Sequence, residues 1–357
     1  MRGKIILEEH VCLPDQDLIP GLSRASRNGS DLFQALVDLH GERLQEMNAN
    51  GVEYAIISQS PAGPQGIHNQ VEAERFAVKS NNYIADLVGK APERFGAFAC
   101  LSMHDPEVAA QELVRCVETL GMLGAMLHGG QEFIGDDGQV DEFYYDEPRY
   151  EPFWDKVEGL GVPIYLHPKN PLPRDMRLFK TRPWLLGPTY SFARDASFQA
   201  LALFTSGLFD KHPRVKIILG HMGEMILNHL HRMDHWLEKR NRGRNLPSQK
   251  TLREYFEQNI YVTTAGDFST PALIHAITEI GVGRVLFSVD TPYENITEGA
   301  TWLDTLPISH TDVAKIGRMN ALELFPKLKV GVLRTSETEN LQKDRQRCLF
   351  TTNAGFA

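Results

Sequence analysis

Glu8 and His10 close the apolar run Ile5-Ile6-Leu7, and a carboxylate two residues from an imidazole is half of a divalent-metal site. Residues 4–9 read as a buried strand. Side chains alternate along a strand, so Glu8 and His10 share a face and Glu9 takes the other. A polar strand end meeting solvent would carry the same letters, so the pair needs company. Of the 13 histidines, His10, His128, His167 and His221 all end predicted strands, and Asp290 ends the last one. Any one of them alone is more often a hydrogen-bonded core histidine. Four imidazoles, with Glu8 and Asp290 completing the ring, point to a metal. Such ligands without cysteine suit Zn²⁺, Mn²⁺ or Mg²⁺.

The stretch Gly220-His221-Met222-Gly223-Glu224 adds chemistry beside that ring. His221 ends a strand, and Glu224 is expected to open the next helix, whose positive end favours a carboxylate. There Glu224 either hydrogen-bonds the imidazole and fixes its tautomer, or only caps the helix. Arg232, two turns on, either reaches an anionic substrate or pairs with a surface carboxylate.

Positioning these residues takes a regular scaffold. Apolar strand runs start near residues 4, 54, 96, 124, 163, 215, 260 and 285. Each is followed by a stretch with helical spacing, among them 32–47, 73–87, 106–120, 153–160, 192–208, 224–239, 270–280 and 311–325. Ser30-Asp31 offers an N-cap to the first, and Asp105-Pro106 opens the third. Residues 130–150 are acidic, aromatic and aperiodic, and residues 14–28 and 168–188 are long loops. Strands this apolar are buried on both faces, as in a parallel sheet. Eight β–α alternations over residues 1–328 predict one (β/α)8 TIM-barrel domain, with residues 329–357 a polar tail. The rival, an open doubly wound sheet, would want a glycine-rich turn after the first strand, and none is there. Active sites of such barrels lie at the C-terminal ends of the strands, where the ring of histidines falls.

Composition excludes other classes. With 42% hydrophobic and 23% charged residues the chain is ordinarily globular. A net charge of −9 and no basic stripe argue against a nucleic-acid surface. Cys12, Cys100, Cys116 and Cys348 are widely spaced, which fits a reducing compartment rather than a thiolate zinc cluster. No apolar run reaches the roughly 18 residues of a membrane span, and the first strand follows Met1 directly. The expectation is a cytoplasmic protein with no membrane partner and no organic cofactor.

Glu8-x-His10, His167-Pro168, Gly220-His221-Met222-Gly223-Glu224 and Asp290-Thr291-Pro292-Tyr293-Glu294 together resemble the amidohydrolase superfamily. More narrowly they resemble its nonoxidative aromatic acid decarboxylases, the γ-resorcylate and 2,3-dihydroxybenzoate decarboxylase-like branch. The likeness runs from residue 1 to about 328 and includes Ala99-Cys-Leu-Ser-Met-His-Asp-Pro106, Tyr165-Leu-His-Pro-Lys-Asn-Pro171 and Trp184-Leu-Leu-Gly-Pro188. The resemblance implies Glu8, His10, His167 and Asp290 as metal ligands, with His221 and Glu224 beside the substrate. It implies a homo-oligomer, dimer or tetramer. Two-metal members often use a carbamylated lysine at the end of strand 4. This chain reads Met126-Leu127-His128-Gly129 there, so one metal ion is expected. The decarboxylases usually place a substrate-contacting asparagine where His128 stands, which makes His128 a candidate substrate contact.

The implied reaction is reversible, metal-dependent decarboxylation of an ortho-hydroxybenzoate such as 2,3- or 2,6-dihydroxybenzoate. Direct loss of CO₂ would leave an aryl anion in the ring plane, so C1 is protonated first. Asp290, or alternatively His221 held by Glu224, is the expected acid. The same ligands would also support a lactone or amide hydrolase, in which water attacks a carbonyl.

Overall fold

The computed structural model describes residues 1–15 and 32–328. The Ser30-Asp31 cap, most of the loop at 14–28 and the tail at 329–357 lie outside the described residues. Eight parallel strands form the scaffold: β1 (Lys4–Val11), β2 (Val52–Gln59), β3 (Phe95–Ala97), β4 (Ala125–His128), β5 (Ile164–His167), β6 (Ile217–Leu219), β7 (Ile260–Thr263) and β8 (Val285–Leu286). β1, β2 and β3 pair in one arc, and β4 through β8 in the other. Two parallel bridges join the arcs, Ala99 to Ala125 and Glu9 to Thr291, so the strands run round a ring as a (β/α)8 barrel does.

Alternation along the strands sorts the apolar side chains into two layers. Ile5, Leu7, Tyr54, Ile56, Phe98, Met126, Tyr165, Ile218, Tyr261 and Leu286 share one cluster, the barrel interior. Ile6, Ala55, Ile57, Ala97, Ala125, Leu127, Ile164, Leu166, Ile217, Leu219, Val262 and Val285 join the layer between strands and helices. Ala321, Phe325 and Leu328 belong to the interior cluster, and Phe325 lies 5.9 Å from Phe98, ring centre to ring centre. The C-terminal segment therefore plugs the barrel at the end where the strands begin. Polar chemistry is left to the other end, where the strands stop.

β1 breaks the alternation once. Its register against β2 slips between Lys4 and Ile5 and again between Ile6 and Glu9, where Leu7 and Glu8 face the single residue Ile56. Such a bulge re-aims the side chains beyond it. Leu7 and Glu8 both turn inward, and without the bulge Glu8 would follow Ile6 into the outer layer.

Several predicted helices form as expected. Pro106–Glu118 is capped by Asp105, whose carboxylate accepts from the Glu107 and Val108 amides at 2.9 and 3.4 Å. Thr270–Ile280 keeps its predicted limits. Three readings change. The helix expected over 32–47 is two, Leu32–Val37 and Glu42–Ala49, because Asp38 turns its carboxylate onto the Gly41 and Glu42 amides and starts a new helix. The aperiodic segment at 130–150 holds an antiparallel hairpin, Gln131–Ile134 with Val140–Phe143, stacked through Phe133 and Phe143 at 4.0 Å. The helix expected over 224–239 does not begin at Glu224. A tight turn at His221–Gly223 comes first, and regular α-helix is confined to Leu230–Trp236. Among the described residues, no helix is long and apolar enough to cross a membrane.

Candidate metal centre

Four residues from three strand ends, those of β1, β5 and β8, converge on one point. One ligand atom from each of Glu8, His10, His167 and Asp290 lies within 4.8 Å of all the others. Glu8 Oε1 is 3.1 Å from His167 Nε2, and His10 Nε2 is 3.1 Å from Asp290 Oδ1. Glu8, His10 and His167 are buried, and Asp290 is 14% exposed on the open side. Glu8 Oε1, His10 Nε2 and Asp290 Oδ1 are all buried without a hydrogen-bond partner. Orphaned buried polar atoms are costly. Three of them aimed at one point, two carboxylate and one imidazole, are what a bound cation would satisfy. The oxygen and nitrogen donor set fits a divalent ion such as Mn²⁺ or Zn²⁺.

Other groups orient these ligands. The His167 Nδ1–H donates to the Pro168 carbonyl at 2.7 Å, which leaves Nε2 with its lone pair toward the cluster. Ser58, the register partner of His10 on β2, sits 3.4 Å from His10 Nδ1. The second Glu8 oxygen, Oε2, accepts from the Tyr165 hydroxyl and from Thr263 Oγ1. Tyr165 lies two residues before His167 on the same face of β5, so strand parity could have found it. Thr263 is donated by β7, whose end had suggested no residue.

Electrostatics separates the ionisable groups. Burial disfavours the Glu8 carboxylate, but the charge of His221 and the imidazole of His167 outweigh it and hold its pKa below the usual value. Asp290 is likewise desolvated, yet the neighbouring imidazoles of His10 and His221 take it down to about 2. Burial lowers the pKa of His10 and favours the neutral ring that metal binding requires.

His221 and Glu224 stand beside the cluster. Nε2 of His221 is 3.6 Å from Glu8 Oε1 and 3.9 Å from Asp290 Oδ2, and its ring is 24% exposed. Nδ1 lies 2.8 Å from Glu224 Oε1. Burial opposes the imidazolium, but Glu224 and Glu8 raise its pKa well above the ordinary value. Of the two roles open to Glu224, it takes the contact with the imidazole, and no helix starts there for it to cap.

His128 is the register partner of His167, and their rings are 5.0 Å apart. It is fully buried, and neither ring nitrogen has a hydrogen-bond partner. Burial first, then His167 and His10, take its pKa well below the ordinary value, so the ring is neutral. Gly63 packs against it so closely that a Cβ there would lie 3.0 Å from Nδ1. No lysine ends β4. The buried Lys169 beyond β5 is held by Glu132 at 2.7 Å and Glu142 at 3.2 Å, outside the cluster. Arg232 is exposed on Leu230–Trp236, and no hydrogen bond or ion pair joins it to the described residues of the cluster.

Comparison with known proteins follows this geometry. A sequence profile of the family described as amidohydrolase matches residues 34–327. The chain is 44% identical over 334 residues to a γ-resorcylate decarboxylase of Rhizobium sp. strain MTP-10005, spanning 91% of this chain and 98% of that one. A solved 2,6-dihydroxybenzoate decarboxylase, in complex with 2,6-dihydroxybenzoate, superposes with a TM-score of 0.84 at 43% identity, over 91% of this chain and 100% of that one. A solved dihydroxybenzoic acid decarboxylase of Polaromonas sp. JS666, with bound manganese and the inhibitor 2-nitroresorcinol, superposes with a TM-score of 0.81 at 40% identity, over 94% and 99% of the two chains.

Proposed function

The chain belongs to the amidohydrolase family, and from that membership we propose that it is a carboxy-lyase that decarboxylates a dihydroxybenzoate with one divalent metal ion. The observation that carries this is the convergence of Glu8, His10, His167 and Asp290 on one point, with orphaned ligand atoms. The decarboxylase relatives at 40–44% identity support it, and they do not favour the hydrolase alternative. Manganese in one relative supports Mn²⁺ as the ion, and ligands bound in two relatives support a small aromatic acid as substrate.

When bound, the ion supplies Lewis acidity and positive charge toward the acid's carboxylate and ortho oxygen. The protein's own groups do the rest. Asp290 and His221 form the open edge of the cluster, where a substrate can approach. An ortho phenolate pushes electron density onto C1, which then accepts a proton before the C1–carboxylate bond breaks. Asp290 receives the phenolic proton and delivers it to C1 as general acid. His221, held by Glu224, stands over the same edge as a cation for the developing charge. His128, whose two ring nitrogens are buried and unpartnered, is the candidate contact for a further hydroxyl of the substrate.

Residues 1–328 are read as one catalytic domain. The buried free thiols of Cys12, Cys100 and Cys116 support a cytoplasmic setting. The exposed rings of Trp184, Tyr190 and Phe198 support a homodimer or homotetramer, which sedimentation analysis tests directly. For the reaction, the purified chain is loaded with Mn²⁺ and given 2,6-dihydroxybenzoate, 2,3-dihydroxybenzoate and salicylate. CO₂ release from a dihydroxybenzoate is the expected result, and release from none of the three would overturn the proposal.

A further inference from the structure

We propose that Glu9 is a positioning residue for the metal centre: its carboxylate grips the backbone amide on each side of Asp290 and so fixes where the Asp290 side chain points. Glu9 was expected only to face away from Glu8 and His10, and it does, yet it is fully buried and its two oxygens take up three donors. Oε1 accepts from the Val289 amide at 3.1 Å and from Ser288 Oγ at 3.2 Å. Oε2 accepts from the Thr291 amide at 3.0 Å. The residue between those amides is Asp290, held at φ +81°, a conformation that side-chain-bearing residues rarely adopt.

The grip replaces a missing ladder. Regular pairing of β8 ends at Leu286, four residues short of Asp290. Among the described residues, the backbone link from there to β1 is the bridge at Thr291, with the His10 amide donating to its carbonyl at 2.7 Å. On the other side of the seam, the bulge takes the Leu7 and Glu8 amides out of the ladder, and Ser288 Oγ accepts from both, at 3.1 and 2.7 Å. Glu9 and Ser288 thus tie together the backbones that carry Glu8, His10 and Asp290, three of the four ligands. Arg43, also buried, donates to the His10 carbonyl at 2.7 Å. The chemistry demands a carboxylate. Both Glu9 oxygens face N–H donors, so a glutamine would turn its own NH₂ against either Val289 or Thr291.

The inference rests on the metal reading of the cluster, and its test reads metal binding with no aromatic acid present. Wild type, Glu9→Gln and Ser288→Ala are stripped with chelator and checked for fold by circular dichroism. Mn²⁺ is then titrated in and followed by electron paramagnetic resonance. Glu9→Gln is expected to weaken Mn²⁺ binding about 10–100-fold, as loss of a ligand-orienting partner typically does, and to change the spectrum of the bound ion. Ser288→Ala, which removes one of the three donors, is expected to weaken it less. A folded Glu9→Gln protein with wild-type affinity and spectrum would overturn the proposal. If Glu9→Gln does not fold, Ser288→Ala decides alone, and wild-type affinity there overturns it. A wild-type chain that binds no Mn²⁺ overturns this proposal and the metal reading together, whereas bound Mn²⁺ without CO₂ release would refute only the reaction.

Discussion

Glu224 Oε1 stands 2.8 Å from Nδ1 of His221, across a turn in which His221, Met222 and Glu224 all have positive φ, at 49°, 55° and 57°. Each such residue is strained by about 1–3 kcal/mol, and strain of that kind persists only where the surroundings over-determine it. Here they do. Gly223 fits where a Cβ would meet Val262 at 3.1 Å and Leu227 at 3.2 Å, and the Met225 amide donates to Ser197 Oγ. The strain places the imidazole edge-on to Glu8 and Asp290 with its far nitrogen already engaged.

Glu224→Gln should therefore lower kcat by about 10–100-fold while Mn²⁺ affinity stays near wild type, because Glu224 orients His221 and touches no ligand. Steady-state kinetics at saturating Mn²⁺ checks this. An unchanged kcat would show that the pair is only structural.

Removing the metal should abolish turnover. Dialysis against a chelator is expected to stop CO₂ release, and added Mn²⁺ to restore it. Asp290→Asn should remain inactive at any Mn²⁺ concentration, since the proposed mechanism makes Asp290 both a charged ligand and the proton carrier. Recovery of activity in the Asp290→Asn variant at excess metal would contradict the dual role given to Asp290.

His128 should set selectivity. Its two nitrogens are buried and unpartnered, and leaving such groups unmet is unfavourable by about 1–3 kcal/mol. A substrate whose further hydroxyl meets one of them recovers part of that. His128→Phe should lower kcat/KM for 2,6-dihydroxybenzoate relative to salicylate by roughly tenfold, the equivalent of about 1.4 kcal/mol. Equal losses for both acids would remove His128 from the specificity account.

Gly124→Ala tests the scaffold rather than the site. A Cβ at Gly124 would lie 2.3 Å from the Pro163 carbonyl oxygen, where β4 and β5 start side by side. The Gly124 carbonyl also accepts from the Ala99 amide at the β3–β4 junction. The change should destabilise the fold by roughly 1–3 kcal/mol, read as a lower Tm in thermal unfolding. A Tm equal to wild type would mean that the junction relaxes freely.

Much of this was legible before any coordinates. Strand periodicity and turn residues mark the eight strands, and the polar residues closing them give six candidates, from which the family resemblance, not the spacing, singles out Glu8, His10, His167 and Asp290. What was hidden has physical causes. The β1 bulge leaves no mark in the letters, since Leu7-Glu8 reads as ordinary alternation, and only the register against β2 shows both turned inward. Glu224 looked like a helix opener because positive φ at three side-chain-bearing residues is imposed by packing and has no propensity to announce it. The hairpin at Gln131–Ile134 and Val140–Phe143 mixes charges on both faces, so it lacks the two-residue rhythm of a half-buried strand. The roles of Glu9 and Ser288 carry no mark in the sequence because their partners are backbone amides far away in the chain.

The seam between β1 and β8 also has a consequence for biogenesis. Glu8 and His10 stand on the first barrel strand, and Asp290 follows all eight. A nascent chain that has not yet extruded β8 has no Asp290 ligand, no amides for Glu9 to hold and no Ser288 to fasten the bulge. The complete four-ligand centre can assemble only after the ribosome has passed that strand, through contacts of very long sequence separation, which form slowly. The proposed four-ligand site is thus completed late in the life of each molecule, and a chain that ends before β8 lacks part of it.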